Sequence, residues 1–341
     1  MKHLIKQLKP GSGRASRRIL LPALIAVLLT AALILGTGCG NRTLDTGKIR
    51  FGTAGKGAVY DTFGRAFAGI LTDENSGLTV DVKNTEGSAA NLRLLSGGYL
   101  KLAISQADMI SDAYNGVNSY KGSRLRGYSA IAAPYTEVCQ IVVRADSDIR
   151  SVSDLSGKTV SIGEAESGTL LNARQILYAY GLNGSVVKEK ELNYQQAENQ
   201  LKTRKIDALF CTSGVRTEFL EDLAKSTKIR FLPVDARQRA NLKKTNHSFV
   251  DKTIPAGTYT GQDKAVQTLG VKSVLLASDK LSAHDVRSIT GTLFGKTKAL
   301  SASVPIALEL DPKEAVKGVR IPFHKGAAAW YKEHGITVRT E

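Results

Sequence analysis

Two stretches carry the residue types that could do chemistry: Phe51–Tyr60 (FGTAGKGAVY) and Gly163–Leu170 (GEAESGTL). Each reads as the end of a strand, a glycine turn bearing hydroxyls, and the start of a helix. That order leaves unpaired backbone N–H groups and a positive helix end beside Thr53 and Tyr60 in one stretch, and beside Ser167, Gly168 and Thr169 in the other. Such a turn can cradle an anionic or strongly polar small molecule. Taken singly, either is as readily a plain connection, and it is the recurrence that points to a grip. Ser88, Asn91 and Gln106 add neutral donors and acceptors at further turns and strand ends. Tyr60 and Tyr135 supply flat walls with a hydroxyl, and Ser213-Gly214 closes another strand. Each helix end stabilises an anion by about 0.3–1 kcal/mol, and ~2 when buried. Neutral groups and dipoles together hold a carboxylate reversibly without burying full countercharges.

Catalytic patterns are missing from the sequence. The histidines after residue 3 are His247, His284, His324 and His334, each in a polar or terminal segment and none in HExxH spacing. No serine sits in a GxSxG elbow. Gly52, Gly55 and Gly57 form neither a dinucleotide fingerprint nor a phosphate loop, since Gly57 follows Lys56 where Lys-Ser or Lys-Thr is needed. Cys139 and Cys211 lie in apolar strand-like runs without a CxxC partner or nearby histidine, which predicts buried free thiols and no metal site. The expectation is therefore a binding protein: no enzyme, no catalytic residue, no cofactor and no metal.

The chain of 341 residues, 42% hydrophobic and 23% charged, is long enough for two domains with their own cores. Its formal charge is +16, but six basic residues (Lys2, Lys6, Lys9, Arg14, Arg17 and Arg18) precede an uncharged apolar run, Ile19–Leu35. The remaining lysines and arginines are scattered among acids, which describes a basic surface rather than a nucleic-acid interface. The basic start, the apolar run and Gly36-Thr37-Gly38 before Cys39 predict an export signal over residues 1–38. Small residues ending at a cysteine resemble the lipobox of bacterial lipoproteins, so Cys39 is the expected lipidation site and residues 39–47 a tether. Ordinary cleavage, or retention of the apolar run as an anchor, are the alternatives. Seventeen helical residues span roughly 26 Å, short of the ~30 Å hydrocarbon core. In each case the rest of the chain lies outside the cytoplasmic membrane.

Beyond the tether, strands alternate with helices. Lys48–Gly52, Leu78–Asn84 and Leu102–Ser105 read as strands, with Gln106 at the carboxyl end of the third; Asp61–Thr72 and Ala89–Ser96 read as the helices between them. A second α/β pattern starts at Ser153 and includes strand Thr159–Ile162, helix Leu170–Tyr180 and strand Asp207–Cys211. Ile254–Gly261 reads as a loop. Tyr128–Pro134 reads as one strand, Val138–Val143 as another, and the latter pairs in length and apolarity with Val271–Ala277. The last region predicts helices at Ser282–Lys296, Pro312–Lys317 and Phe323–His334. The expected fold is α/β, with two parallel-sheet lobes joined by two crossing strands: lobe I from 48–143 and 271–341, lobe II from 144–270. Ligands in such sheets sit outside the strand carboxyl ends, in a cleft closed by hinge motion.

Eight blocks recur in register over Ile49–Gly335: Gly52-Thr53 through Tyr60; Gly87-Ser88 with Asn91-Leu92; Ala107-Asp108 with Asp112-Ala113-Tyr114; Ser153-Asp154-Leu155 with Gly157-Lys158; Ser167-Gly168-Thr169; Ile206-Asp207-Ala208; Ile254-Pro255-Ala256-Gly257 with Tyr259; and Pro322 and His324 through Gly335. In these the chain resembles the TAXI family of solute receptors. The resemblance implies a type II-like periplasmic-binding-protein fold. It implies a monomeric receptor that passes glutamate, glutamine or a carboxylate such as 2-oxoglutarate to a TRAP-type membrane permease driven by an ion gradient. It places ligand contact on Thr53, Tyr60, Ser88, Asn91, Gln106, Ser167, Gly168, Thr169 and Gly214, and leaves the block around His324 to packing. The chain departs from the family at Lys56, where the turn is commonly uncharged, and at Arg216, where a proline is usual. These two cations are the candidate charge partners for a dicarboxylate, each facing either the cleft or solvent. A membrane-tethered sensor presenting the same clamshell to a signalling partner is the alternative, with an ABC-type receptor a weaker one.

Overall fold

The computed structural model describes residues 48–74 and 78–341; the expected export signal (1–38), the expected lipidation site Cys39 and the expected tether lie outside the described residues. Residues Lys48–Glu341 form one compact unit. Among the described residues, no helix is long and apolar enough to cross a membrane.

The first third alternates as expected. Strand β1 (Lys48–Gly52) runs through the glycine turn into α1 (Val59–Glu74), then β2 (Thr79–Lys83), α2 (Ser88–Ser96), β3 (Leu102–Gln106) and α3 (Ala107–Asn115). Helix α1 holds Val59, Phe63, Phe67 and Leu71 at four-residue spacing, and all four are buried. β1 pairs in parallel with β2 and β3. The middle of the chain adds β5 (Thr159–Ser161), α4 (Gly168–Ala179), β6 (Lys188–Lys190), α5 (Tyr194–Lys202), β7 (Ala208–Ser213) and α6 (Glu218–Ser226). β5 pairs in parallel with β6 and β7.

Two long strands join these parallel sets: β4 (Tyr128–Arg144) and β10 (Val266–Ser278). They run antiparallel to each other; β10 pairs with β3 on one side, and β4 with β7 on the other. The sheet order is β2-β1-β3-β10-β4-β7-β5-β6, with short strands β8 (Ile229–Phe231) on β4 and β9 (Val250–Ile254) on β10. In β4 every residue but Ser129 is buried, which is why its sequence is apolar on both faces. The smaller of two core clusters lies around α5 and α6, and the larger fills the rest. Cys139 and Cys211 are buried free thiols, as expected.

Two expectations are corrected. Tyr128–Pro134 and Val138–Val143 are a single strand. Pro134 sits where the β4–β10 register shifts between Ser273 and Leu275, an irregularity that accommodates a residue with no N–H to donate. Pro312–Lys317 is a run of turns, not a helix; the Asp311 carboxylate accepts from the Lys313 and Glu314 N–H groups and holds it in that form. Strand β9 ends at Ile254, where the expected loop begins; its exposed, charged residues carry little apolar signal. Helix α7 (Ala236–Thr245) precedes it, and α8 (Ala283–Gly295), α9 (Thr297–Ser303) and α10 (Lys325–Glu333) close the chain. Ser282 caps α8 by accepting from the Asp285 N–H at 3.0 Å, and His324 caps α10 through Nδ1, 3.2 Å from the Gly326 nitrogen.

Candidate functional site

The carboxyl ends of β1, β3 and β7 and the amino ends of α1, α2 and α4 converge on one cavity of ≈ 230 Å³. From the β1–β3 side it is lined by Lys56, Tyr60, Ser88 and Gln106, from the β5–β7 side by Ser167, Gly168, Thr169 and Tyr194, and from the central strand by Glu137. At the α4 end, the Ser167 hydroxyl accepts from the Leu170 N–H at 3.1 Å. The Gly168 and Thr169 N–H groups, in the first helical turn, have no intrahelical acceptor and lie at the cavity wall. The helix dipole adds positive potential there.

Gly168 lies close against the Gln106 side chain. A Cβ at that position would overlap the Gln106 side-chain amide. The Thr169 hydroxyl is 2.9 Å from the Tyr194 hydroxyl and accepts from the Thr212 N–H at 3.1 Å, which fixes the helix start against the end of β7. Tyr194 is stacked on Phe219 at 4.5 Å between ring centroids.

On the floor, the Tyr60 hydroxyl donates to Glu137 Oε2 at 2.8 Å and lies 3.3 Å from Ser88 Oγ. Ser88 Oγ accepts from the Gln106 N–H at 3.1 Å. The Gln106 Oε1 atom is buried without a partner. Glu137 is buried in β4, opposite Val271 of β10. Burial pushes its carboxyl up to about 8; hydrogen bonds from Tyr60 and Gln106 offset part of that rise, and the Asp108 charge adds to it. Half-burial, then the neighbouring Glu86 charge, raises Glu164. The lining thus carries three carboxyl groups, Glu86, Glu137 and Glu164, against one cation, Lys56.

The two sides also touch directly. The Ala89 N–H at the start of α2 donates to the Glu166 carbonyl at 3.0 Å, and the Arg93 guanidinium holds the Glu166 carboxylate at 3.0 and 2.5 Å. Asn172 of α4 and Asn246 donate to the Asp108 carboxylate of α3 at 2.9 and 3.1 Å.

A family model described as the NMT1-like family matches residues 51–335, nearly the stretch over which the motif blocks recur. The chain belongs to the NMT1-like family. Among solved structures, it is similar to a protein of Bordetella bronchiseptica RB50 (15% identity, 85% of this chain and 98% of that one, TM-score 0.50). It is also similar to Tv2483, solved bound to L-arginine (12% identity, 78% and 94%, TM-score 0.50). A third is the periplasmic aliphatic sulphonate binding protein SsuA from Escherichia coli (14% identity, 84% and 90%, TM-score 0.44). The fold of this NMT1-like chain is the type II-like one of periplasmic binding proteins, as expected.

Within this NMT1-like fold, Tyr60, Ser88, Gln106, Ser167, Gly168 and Thr169 come together at the cavity, and Lys56 stands exposed at its mouth. The other expected contacts are not among its lining residues. Asn91 is fully buried and donates to the Thr53 and Ile104 carbonyls at 2.6 and 2.8 Å, tying β1 to β3. The Thr53 hydroxyl donates to the Lys83 carbonyl at 3.2 Å. Tyr135 lies in the core 6.1 Å from the Phe63 ring. Gly214 is buried against Ile306. Arg216 is exposed, its Nε 3.3 Å from Glu221, so it faces solvent. Its φ of 71° is one that proline, fixed near −65°, cannot adopt.

Glu137 and Tyr194 were not singled out from sequence. For Glu137 a signal existed: it is the only acid in the seventeen residues of β4. Tyr194 opens a polar helix, and nothing in its neighbours sets it apart. None of His247, His284, His324 and His334 lines the cavity. Among the described residues, no group of three or more His, Cys, Asp or Glu side chains could hold a metal ion.

Proposed function

We propose that this chain is the extracytoplasmic receptor of a TRAP-type secondary transporter of the TAXI kind, lipid-anchored at Cys39. It captures a small carboxylate between lobe I (48–143 and 271–341) and lobe II (144–270) and delivers it to the membrane permease. The observation that supports this reading most is the first turn of α4, whose Gly168 and Thr169 N–H groups open onto a metabolite-sized cavity lined from both sides of the sheet. The direct contacts across the cleft, Arg93 with Glu166 and Asp108 with Asn172, fit a hinge that shuts on its cargo. A transported solute must also be released, and a dipole-based anion site permits that.

The test is uptake of a bound carboxylate into vesicles carrying the permease encoded beside this chain. Uptake that needs the receptor and an ion gradient, and proceeds without ATP, is the expected result. Uptake that needs ATP contradicts the TRAP assignment, and a signalling kinase responding to the same ligand without any uptake contradicts delivery.

A further inference from the structure

We infer that Glu137 anchors an ammonium group, so that the cavity selects a small 2-amino acid over the 2-oxo acid of the same skeleton; this rests on the reading above that the site takes a carboxylate. The cavity sets donors and acceptors side by side, with Gln106 Oε1 packed close against Gly168. The α4 wall offers donors, the Gly168 and Thr169 N–H groups. The floor offers acceptors: the Glu137 carboxyl, and Gln106 Oε1, which is 1% exposed as a residue and has no partner. The Tyr60 hydroxyl spends its proton on Glu137 Oε2 and so presents only lone pairs.

A zwitterion matches this arrangement, since its carboxylate accepts from the wall and its ammonium donates to the floor. A carbonyl oxygen at the same carbon would find only the Glu137 proton to accept, with Tyr60 and Gln106 Oε1 presenting lone pairs. It would leave Gln106 Oε1 unpaired, and a buried acceptor without a donor is costly. Charge points the same way. With Glu137 neutral, Glu86 and Glu164 still outnumber Lys56 in the lining, and a dianion with no ammonium gains little there. Burial keeps the Glu137 proton on at neutral pH, so an incoming ammonium displaces that proton to solvent.

The experiment is calorimetric titration of the purified full-length protein with matched pairs, each common L-amino acid beside the 2-oxo acid of the same side chain, including glutamate beside 2-oxoglutarate. At least one amino acid is expected to bind ~10-fold or more tighter than its 2-oxo partner. Titrations at pH 7 in buffers of different ionisation enthalpy are expected to show proton release on binding. Glu137→Gln, nearly isosteric, is expected to abolish the preference by weakening the amino acid alone. A 2-oxo acid that binds as tightly as its amino acid, or a preference unchanged in Glu137→Gln, overturns the inference while leaving a carboxylate receptor intact. Absence of binding by both series overturns the carboxylate reading itself. The comparison of paired ligands on the unaltered protein decides the matter even where the variant fails to fold.

Discussion

Gly168 shows how tightly the two sides of the cleft depend on one atom. A methyl group there meets the Gln106 amide, which itself rests beside Glu137. Gly168→Ala is expected to weaken ligand binding by ~10-fold or more, since overpacking of this kind costs about 1–3 kcal/mol; titration of the variant against the parent measures it. Glu137 gives a second prediction. Its carboxyl is raised to about 8 in the folded protein, above its unfolded value, so the native state holds a proton that the unfolded chain releases. Its contribution to stability is complete below the unfolded pKa and is lost as pH rises through 8. The melting temperature of the ligand-free protein is expected to fall from pH 5 to pH 9, and Glu137→Gln is expected to flatten that slope. A profile identical in parent and variant would contradict the assignment. The hydroxyl at Thr169 and the small residues beside it were legible because chain order alone puts them at a helix start. Glu137 was legible only as an oddity of composition, because what sets it apart is the approach of Tyr60 and Gln106 from distant parts of the sequence.

Among the elements, β1 and β3 are held at their carboxyl ends by Asn91. Its amide nitrogen serves two buried carbonyls, those of Thr53 and Ile104, and its oxygen accepts from the Thr85 hydroxyl at 2.8 Å. Asn91→Ala takes the side-chain donor from the Ile104 carbonyl, while the Thr53 carbonyl keeps the Thr85 hydroxyl at 3.0 Å, and a buried polar group that loses its partner costs ~1–3 kcal/mol. The expected outcome is a lower midpoint in denaturant unfolding with ligand affinity largely retained in the folded fraction. A loss of affinity without loss of stability would return Asn91 to the binding site. From sequence, a polar side chain at a turn or strand end reads the same whether it serves a ligand or a neighbouring strand, so Asn91, Thr53 and Tyr135 look no different there from Ser88 and Gln106. Elements with a local signature were legible: α8 announced itself through Ser282 ahead of apolar spacing. The union of β4 across Pro134 was not, since the bulge that tolerates the proline is formed with β10, over a hundred residues away.

At the scale of the whole molecule, the repeated strand, glycine turn and helix at Phe51–Tyr60 and Gly163–Leu170 place two helix starts at one cavity, and the paired apolar runs lie in the long strands β4 and β10. What sequence could not supply was the contact across that cavity. Arg93 and Glu166 are both partly exposed, so their pair contributes less than ~1 kcal/mol. Arg93→Ala is accordingly expected to lower affinity by no more than ~5-fold, with a larger radius of gyration in solution scattering at subsaturating ligand. The central claim is that this NMT1-like chain is a receptor for a small carboxylate. Its most direct test is a thermal-shift screen of the purified protein against amino acids, 2-oxo acids and solutes of similar size that lack a carboxylate. Stabilisation of about 2.7 kcal/mol at a hundred times the dissociation constant is predicted for a carboxylate-bearing solute. Tight binding of a solute without a carboxylate, with no response to any carboxylate, would contradict it.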